Sequence, residues 1–244
     1  MKTLYLDTTA GASGDMLMGA IFGLCPDPGA FLKTMNALPI PGIAVRPQPR
    51  EGGVHLSVAV HGREEDHHDH HDHDHHHHPH RTLADVLTAL RTFPLPAGVL
   101  NHACAVYQVL AEAEAEAHGQ PVAEIHFHEV GMDDAIADIA GVSLLIDGLA
   151  PDAIVCTPVA VGSGTVRCAH GVLPVPAPAT AHLLDGLPTV PGPAAGELCT
   201  PTGAALLRHF VDRFELPEPP AGAVYGYGSR SFAGHKNAVA AWLG

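Results

Sequence analysis

Residues 124–139 set two histidines, two glutamates and three aspartates among mostly apolar neighbours: Glu124, His126, His128, Glu129, Asp133, Asp134 and Asp138. Polar groups embedded in an apolar stretch point to a site rather than to a solvated surface. His126 and His128 stand two apart in a segment that alternates like a strand, which turns both imidazoles to one face, as a shared metal requires. Gly131 then breaks the strand, and Asp134 and Asp138, four apart, share one face of the helix that follows. The expected shape is a strand-turn-helix corner with imidazoles on one wall and carboxylates on the other. The alternative for the histidine pair is a hydrogen-bonded pair that only orients the corner.

Two further segments start helices with polar groups at the N-terminus, where anions and metal-bound phosphates are favoured. In the first, Asp7 ends a strand and a glycine loop follows, with Gly11, Gly14, Ser13 as a helix N-cap and Asp15 in the first turn. Asp7 stands at the carboxyl end of its strand, where open α/β sheets place ligands and metal-holding carboxylates. In the second, Thr200 is the N-cap and Pro201 the first helical residue, with Thr202 and Gly203 behind them. Each segment has a plain capping explanation. The functional reading requires that they converge with residues 128–138.

Residues 64–80 form a run with no apolar side chain and ten imidazoles: His67, His68, His70, His71, His73, His75, His76, His77, His78 and His80. Such a run cannot join a core, so a disordered or metal-ordered loop is expected. Its internal position and interleaved aspartates argue against an expression tag. Imidazole suits nickel, copper and zinc, and affinity order alone favours copper, so the run collects metal without fixing which one.

The remaining chain must supply the frame for these groups. Apolar periodicity predicts a strand over 3–7, a helix from 14 to about 24 and a short helix over 29–38. A hairpin of strands 43–48 and 54–60 turns at Gly52 and Gly53. Thr82 and Asp85 form a capping box opening a helix to about 92, and a long helix over 99–117 ends at Gly119. On it, His102 and His118 read as ordinary surface positions and Glu112, Glu114 and Glu116 as a solvated face. The corner helix runs on to Asp147, strands follow over 154–161 and 165–168, and prolines set an extended segment over 170–178 before a helix over 179–184. The helix after Thr200 carries Leu206, Leu207, Phe210 and Phe214, and the tail is a glycine-rich turn over 224–230 and a last strand over 237–243. The fold class is α/β: a mixed sheet with flanking helices and an internal disordered His/Asp-rich loop, in one domain over 1–244.

Composition removes several functions. No apolar run in the 244 residues approaches the roughly 18 to 20 of a membrane span, and no signal-peptide layout follows Met1, so a cytoplasmic location is expected. Five cysteines without a C-x-x-C pair read as reduced thiols, Cys168 with His170 being the one candidate soft-metal pair. A formal charge of -14 with only 12 Lys and Arg excludes general nucleic-acid or anionic-membrane binding. G-x-S-x-G, Walker A and G-x-G-x-x-G patterns are missing, which weakens hydrolase, classical NTPase and dinucleotide readings.

The sequence resembles the nickel-insertion proteins of lactate racemase maturation, the LarC family. The resemblance is carried by Tyr5-Leu6-Asp7 with Gly11-Ala12-Ser13-Gly14-Asp15-Met16, by the internal His/Asp run, and by His126-Phe127-His128-Glu129-Val130-Gly131 with Asp134 and Asp138. It continues through the segment from His170-Gly171-Val172 to Pro178-Ala179-Thr180 and through Thr200-Pro201-Thr202-Gly203-Ala204, in family order over almost the whole chain. It implies CTP-dependent insertion of nickel into pyridinium-3,5-bisthiocarboxylic acid mononucleotide, giving the nickel-pincer nucleotide used by lactate racemase. The metal bonds to a ring carbon and two thiocarboxylate sulfurs, CTP is consumed, and Mn2+ or Mg2+ assists. Longer members continue into a C-terminal domain linked to oligomer formation, so this chain is expected to be the N-terminal part or a split-gene product, with such a domain or partner chain, a homo-oligomer and the lactate racemase apoprotein as possible partners. The tail Gly226-Tyr227-Gly228-Ser229-Arg230-Ser231-Phe232 is looser than the family's Gly-Tyr-Gly-Ala-Gly pattern, so the resemblance assigns no role to Arg230.

Chemistry then assigns roles. Asp7, Asp15, Asp134 and Asp138 hold a divalent ion with CTP, Gly14 backbone N–H takes phosphate, and Ser13, Thr200 and Thr202 complete the nucleotide contacts. His126, His128 and Glu129 deliver nickel or take the ring proton. The rivals are a non-catalytic nickel store or chaperone and a metal-dependent nucleotide hydrolase.

Overall fold

Strand β1 (Thr3–Asp7) sits inside the main sheet because its alternate residues serve two faces: Leu4 and Leu6 enter the main core, and Tyr5 stacks on Trp242 on the opposite face at 5.3 Å between ring centroids. The computed structural model describes residues 1–64, 81–168, 171–215, 218–232 and 234–244. In chain order β1 is followed by α1 (Gly14–Phe22), α2 (Pro28–Met35), β2 (Ile43–Arg50), β3 (Gly53–Val60) and β4 (Arg63–Glu64). Then come α3 (Leu83–Leu90), α4 (Ala97–His118), α5 (Asp133–Leu149), β5 (Ala153–Cys156) and α6 (Pro178–Leu184). The chain closes with α7 (Pro201–Phe210), β6 (Arg213–Phe214), β7 (Val224–Tyr227) and β8 (Ala238–Leu243). The run at 65–80, with its ten histidines, lies outside the described residues.

The sheet order is β6-β5-β1-β8-β7-β3-β2, with β4 paired to β3. Strands β6, β5 and β1 run parallel, β8 is antiparallel to both β1 and β7, and β7 meets β3 in parallel. The sheet is therefore mixed, as expected, and the hairpin of β2 and β3 pairs over its full length from Ile43↔Val60 to Arg50↔Gly53.

Helices α1 and α5 pack on one face of this sheet, and α4 lies over α5 with α3, α6 and α7 beside it. Helix α1 is buried all round, with Met16, Leu17, Met18 and Ile21 almost without exposure. Four such side chains contribute roughly 1.5–3 kcal/mol each. That outweighs the roughly 1 kcal/mol of an N-cap bond, which Ser13 does not make.

Three expected elements differ. Residues 224–227 form β7 rather than a glycine turn, because Gly226 serves packing: a Cβ there would lie 2.0 Å from the Ala20 backbone N of α1. Phe214 leaves α7, which stops at Phe210, and joins β6 on the sheet edge. The strand expected over 154–161 divides: β5 ends at Cys156, and Val159–Ala160 pairs instead with Thr189–Val190. Pro158, between them, has no N–H to continue a ladder. The capping box at Thr82 and Asp85 forms as expected, as does the left-handed Gly119 that ends α4.

Candidate functional site

Three helix starts meet at one cleft, and glycine lets them do so. A Cβ on Gly14, the first residue of α1, would lie 2.6 Å from Asp138 Oδ2 of α5. One on Gly203, in the first turn of α7, would lie 2.3 Å from the Ala12 carbonyl oxygen. A bridge between Ala12 and Cys199 ties the loop before α1 to the loop before α7, with Thr200 N–H donating to Ala12 O at 3.0 Å. Thr200 caps α7 by accepting from Gly203 N at 3.2 Å, and its hydroxyl meets that of Thr202 at 2.9 Å.

The corner at 126–138 is braced from α4. Tyr107 is fully buried, donates its hydroxyl to the Val130 carbonyl at 3.0 Å and packs on the Phe127 ring. Gly131 permits the tight turn, since a Cβ there would come within 2.6 Å of Phe127 Cβ. Arg81 closes the other side: its Nη1 donates to Gly131 O at 3.0 Å and to Asp133 Oδ1 at 2.6 Å.

The cleft has two chambers. The first, about 100 Å3, is lined by Asp15, Asp134, Asp138, Thr200, Thr202 and Ser229. The second, about 290 Å3, is lined by Glu114, His118, His128, Arg167 and Cys168. Glu129, Val130, Glu197, Pro201 and Arg230 line both and form the wall between them.

The first chamber has the field of a cation site. Asp15, Glu129, Asp134, Asp138 and Glu197 face one arginine, Arg230. Three helix N-termini contribute roughly +0.5 each, too little to cancel that acidity. Carboxylates with threonine hydroxyls are hard oxygen donors, and Mg2+ or Mn2+ binds through one or two carboxylates while keeping water or phosphate oxygens. Asp134 and Asp138 supply donors of that class to the chamber. Among the described residues no group of three or more His, Cys, Asp or Glu side chains is arranged to hold a metal ion.

On the wall, Glu197 is buried, and Arg230 Nη1 donates to its Oε2 at 3.1 Å and to its carbonyl at 3.3 Å. Burial pushes the Glu197 carboxyl above the usual range, against the lowering effect of Arg230, and Glu129 adds to the rise. Burial likewise raises Glu114, with His118 opposing it and Glu129 reinforcing it.

The sequence-derived candidates separate clearly. Ser13, Gly14, Asp15, Asp134, Asp138, Thr200 and Thr202 come together in the first chamber, so the three helix starts do converge. Asp15 is a brace there: one oxygen accepts from the Ser13 hydroxyl and from Met16 N–H, the other from Ser229 N–H at 2.9 Å. Asp7 is not brought to the cleft. Its Oδ1 accepts from Thr9 N–H and the Thr9 hydroxyl, closing the turn after β1.

The two imidazoles do not share a face. The strand ends at Phe127, His128 turns away with ψ of -94° into a short 3-10 turn over Glu129–Gly131, and only His128 and Glu129 reach the cleft. His126 is exposed and pairs across to Thr82, near Asp85. Glu114 and His118, read as surface positions, line the second chamber. His170 lies outside the described residues, and Cys168 stands in the second chamber. All five cysteines are free, and burial pushes Cys156 up to about 12.

Sequence reasoning missed Glu197 and Arg230. The available signal was an acid in the apolar run before Thr200, and one of only twelve basic residues in an acidic chain.

Comparison with known proteins adds an independent line. The family model described as "Nickel insertion protein" matches residues 4–244. The chain is 39% identical over 241 residues to a protein from Methanosarcina barkeri, covering 96% of this chain and 57% of that one. It is 38% identical over 247 residues to one from Syntrophotalea carbinolica, covering 100% of this chain and 60% of that one. Both relatives carry the name "Putative nickel insertion protein". A third, from Nocardioides sp., is 39% identical over 253 residues, with 100% and 60% covered, and is named "Pyridinium-3,5-bisthiocarboxylic acid mononucleotide nickel insertion protein". The chain thus spans about three-fifths of the length of these relatives. No solved structure matches it. Among the described residues no helix is long and apolar enough to cross a membrane.

Proposed function

The chain belongs to the nickel insertion protein family, and from that premise we propose that it carries the cleft in which nickel enters pyridinium-3,5-bisthiocarboxylic acid mononucleotide, giving the nickel-pincer nucleotide used by lactate racemase. The observation that carries this reading is the two-chamber cleft, with an acidic compartment at three helix starts beside one containing imidazole, thiol and arginine side chains.

Nickel is the cargo. The histidine run at 67–80 gathers it, and the imidazole of His128 receives it at the cleft. Two thiocarboxylate sulfurs of the substrate then bind the metal, and a nickel-carbon bond replaces a ring C–H bond. The proton released goes to a carboxylate, and Glu129, beside His128 and on the wall between the chambers, is the assigned base. Asp134 and Asp138 would hold Mg2+ or Mn2+. Such an ion, when bound, neutralises phosphate charge. CTP is consumed in the reaction, and the finished cofactor passes to the lactate racemase apoprotein.

The test is direct: incubate the purified chain with the bisthiocarboxylate nucleotide and nickel, with and without CTP, and follow the nickelated product by mass spectrometry and CTP loss by chromatography. Product formed only with CTP supports the proposal. Nickel bound with neither product nor CTP loss leaves a nickel store or chaperone, the second reading, which the ten-histidine run itself favours. CTP loss without product points to a nucleotide hydrolase.

A further inference from the structure

Away from the cleft, helices α4 and α7 bring two histidines together. His102 Nδ1 stands 2.9 Å from His209 Nε2, with the ring centroids 5.2 Å apart. The Phe210 ring backs both, at 5.1 Å from His102 and 4.6 Å from His209, which limits the two imidazoles on that side. His102 lies sixteen residues, roughly 24 Å, along α4 from the His118 that lines the cleft. His209 closes α7 at the end opposite Thr202. The pair is therefore a separate feature of the outer surface, with His102 exposed and His209 half-buried.

The contact is a hydrogen bond when one ring donates and the other, neutral, accepts. The same separation suits a shared metal. With metal-nitrogen bonds of roughly 2.0–2.1 Å, two ring nitrogens stand about 2.9 Å apart at a right angle and about 3.3 Å apart at the tetrahedral angle. The right angle is the cis arrangement of a tetragonal ion, and nitrogen ligands in that geometry suit nickel and copper. The local field also favours a cation. His209 is in the last turn of α7, at the negative end of the helix dipole. Gly98, one turn before His102 on α4, is packed against Asp147, whose Oδ1 would lie 3.4 Å from a Cβ there. The neighbouring cation, Arg208, is drawn off by the Leu183 and Asp185 carbonyls.

From this geometry we infer that His102 and His209 form a metal site of their own, which takes a divalent ion of the nickel or copper class at two cis positions and leaves its other positions to water. Among the described residues no third His, Cys, Asp or Glu side chain is arranged with the pair to hold a metal. Binding is therefore weak beside that of a closed cage, and the ion exchanges. It replaces the bridging hydrogen. That proton moves through water to the outer nitrogen of its own ring, which leaves both imidazoles neutral, with lone pairs at His102 Nδ1 and His209 Nε2. No net proton is released. The inference goes beyond the nickel-insertion reading and stands without it, because it concerns a different surface of the molecule.

The test uses the full native chain about one pH unit above the usual imidazole value, with free nickel fixed by a metal buffer so that uptake by the run at 67–80 does not change it. Ring-proton signals of His102, His209 and the exposed His235 are followed by NMR and assigned by substituting each in turn with Gln. Paramagnetic broadening then reports where nickel sits. The His102 and His209 signals should broaden together, at a free nickel concentration at least about tenfold below that needed at His235, because the second ring binds intramolecularly. His102→Gln should raise the concentration needed at His209 by about tenfold or more, and His209→Gln should do the same at His102. Three results would each overturn the site: broadening of one ring without the other, broadening no earlier than at His235, or a response of one ring that survives loss of the other. The pair would then be a hydrogen bond between helices and nothing more. A thermal melt checks that the variants fold, and the comparison with His235 in the native chain decides without them.

Discussion

The two chambers of the cleft share a wall but are assembled in opposite ways. The first takes much of its lining from three short segments at helix starts, Ser13 to Met16, Asp134 to Asp138 and Thr200 to Thr202, and Thr200 both caps its helix and lines the cavity. The second draws single side chains from distant places: Glu114 and His118 from the end of α4, His128 from the turn, Arg167 and Cys168 from a two-stranded ribbon. A chamber made of backbone corners is rigid and tolerates little change in shape, whereas one made of separate side chains can be altered residue by residue. The difference predicts that damage to the first appears as lost stability together with lost metal chemistry, and damage to the second as altered ligand preference in a folded protein.

The largest effect should come from closing the contact between helix starts. Gly203→Val drives carbon into the Ala12 carbonyl and should cost about 3 kcal/mol in urea unfolding, with loss of nickel product. If Gly203→Val keeps native stability, the first chamber is not the rigid unit described. Next in size is the split between the two imidazoles. His128→Ala should lower product formation by about 100-fold, while His126→Ala, exposed on the ribbon to Thr82, should stay within about twofold of native turnover. Equal losses in both would restore the paired-imidazole wall. Thr200→Ala removes the cap of α7 and should cost about 1 kcal/mol by thermal unfolding, a smaller loss than that of Gly203→Val in the same helix turn.

The smallest effect is a pH dependence of stability. Burial raises Glu197 and Glu114 above the usual glutamate value of 4.5, so the folded chain holds their protons more tightly than the unfolded chain. The sign follows from linkage: their contribution is fully present below about 4.5 and is lost as pH rises through the raised folded values. Glu197→Gln should flatten the part of that slope due to Glu197 in a urea series from pH 4 upward. An unchanged slope would move the burial cost to Glu114 or elsewhere.

How far the sequence could be read follows the same division. Helix starts are local grammar: Thr200-Pro201, Thr82 with Asp85 and Gly119 each declare an end within four residues, and the structure has those ends. Even the convergence of the glycine loop, the corner and the Thr200 turn was accessible as a hypothesis, because each exposes polar groups at a helix N-terminus. Alternation carried one residue past Phe127 puts His126 and His128 on one face, and nothing local announces that His128 leaves the extended region. Gly226 misled in another way, serving close packing with α1 instead of a turn, a demand set by residues some two hundred positions earlier. Glu114, Glu197 and Arg230 were invisible as a group for the same reason, since their proximity is a product of the assembled fold.

One modest contact has a wider consequence. Arg81 directly follows His80, the last imidazole of the histidine run, and is clamped to Gly131 and Asp133 immediately before Asp134. The ion pair is about one-quarter exposed and worth only roughly 0.2–1 kcal/mol to stability. Its larger effect is on encounter probability. On the proposed reading, in which the run collects nickel, metal held by residues adjoining Arg81 would be tethered to the cleft, and its delivery would be an intramolecular search at the high effective concentration of a short link rather than a diffusive meeting. On that reading free nickel would matter for loading the run, and the supply seen by the cleft would be set by the length of chain between an occupied imidazole and Arg81.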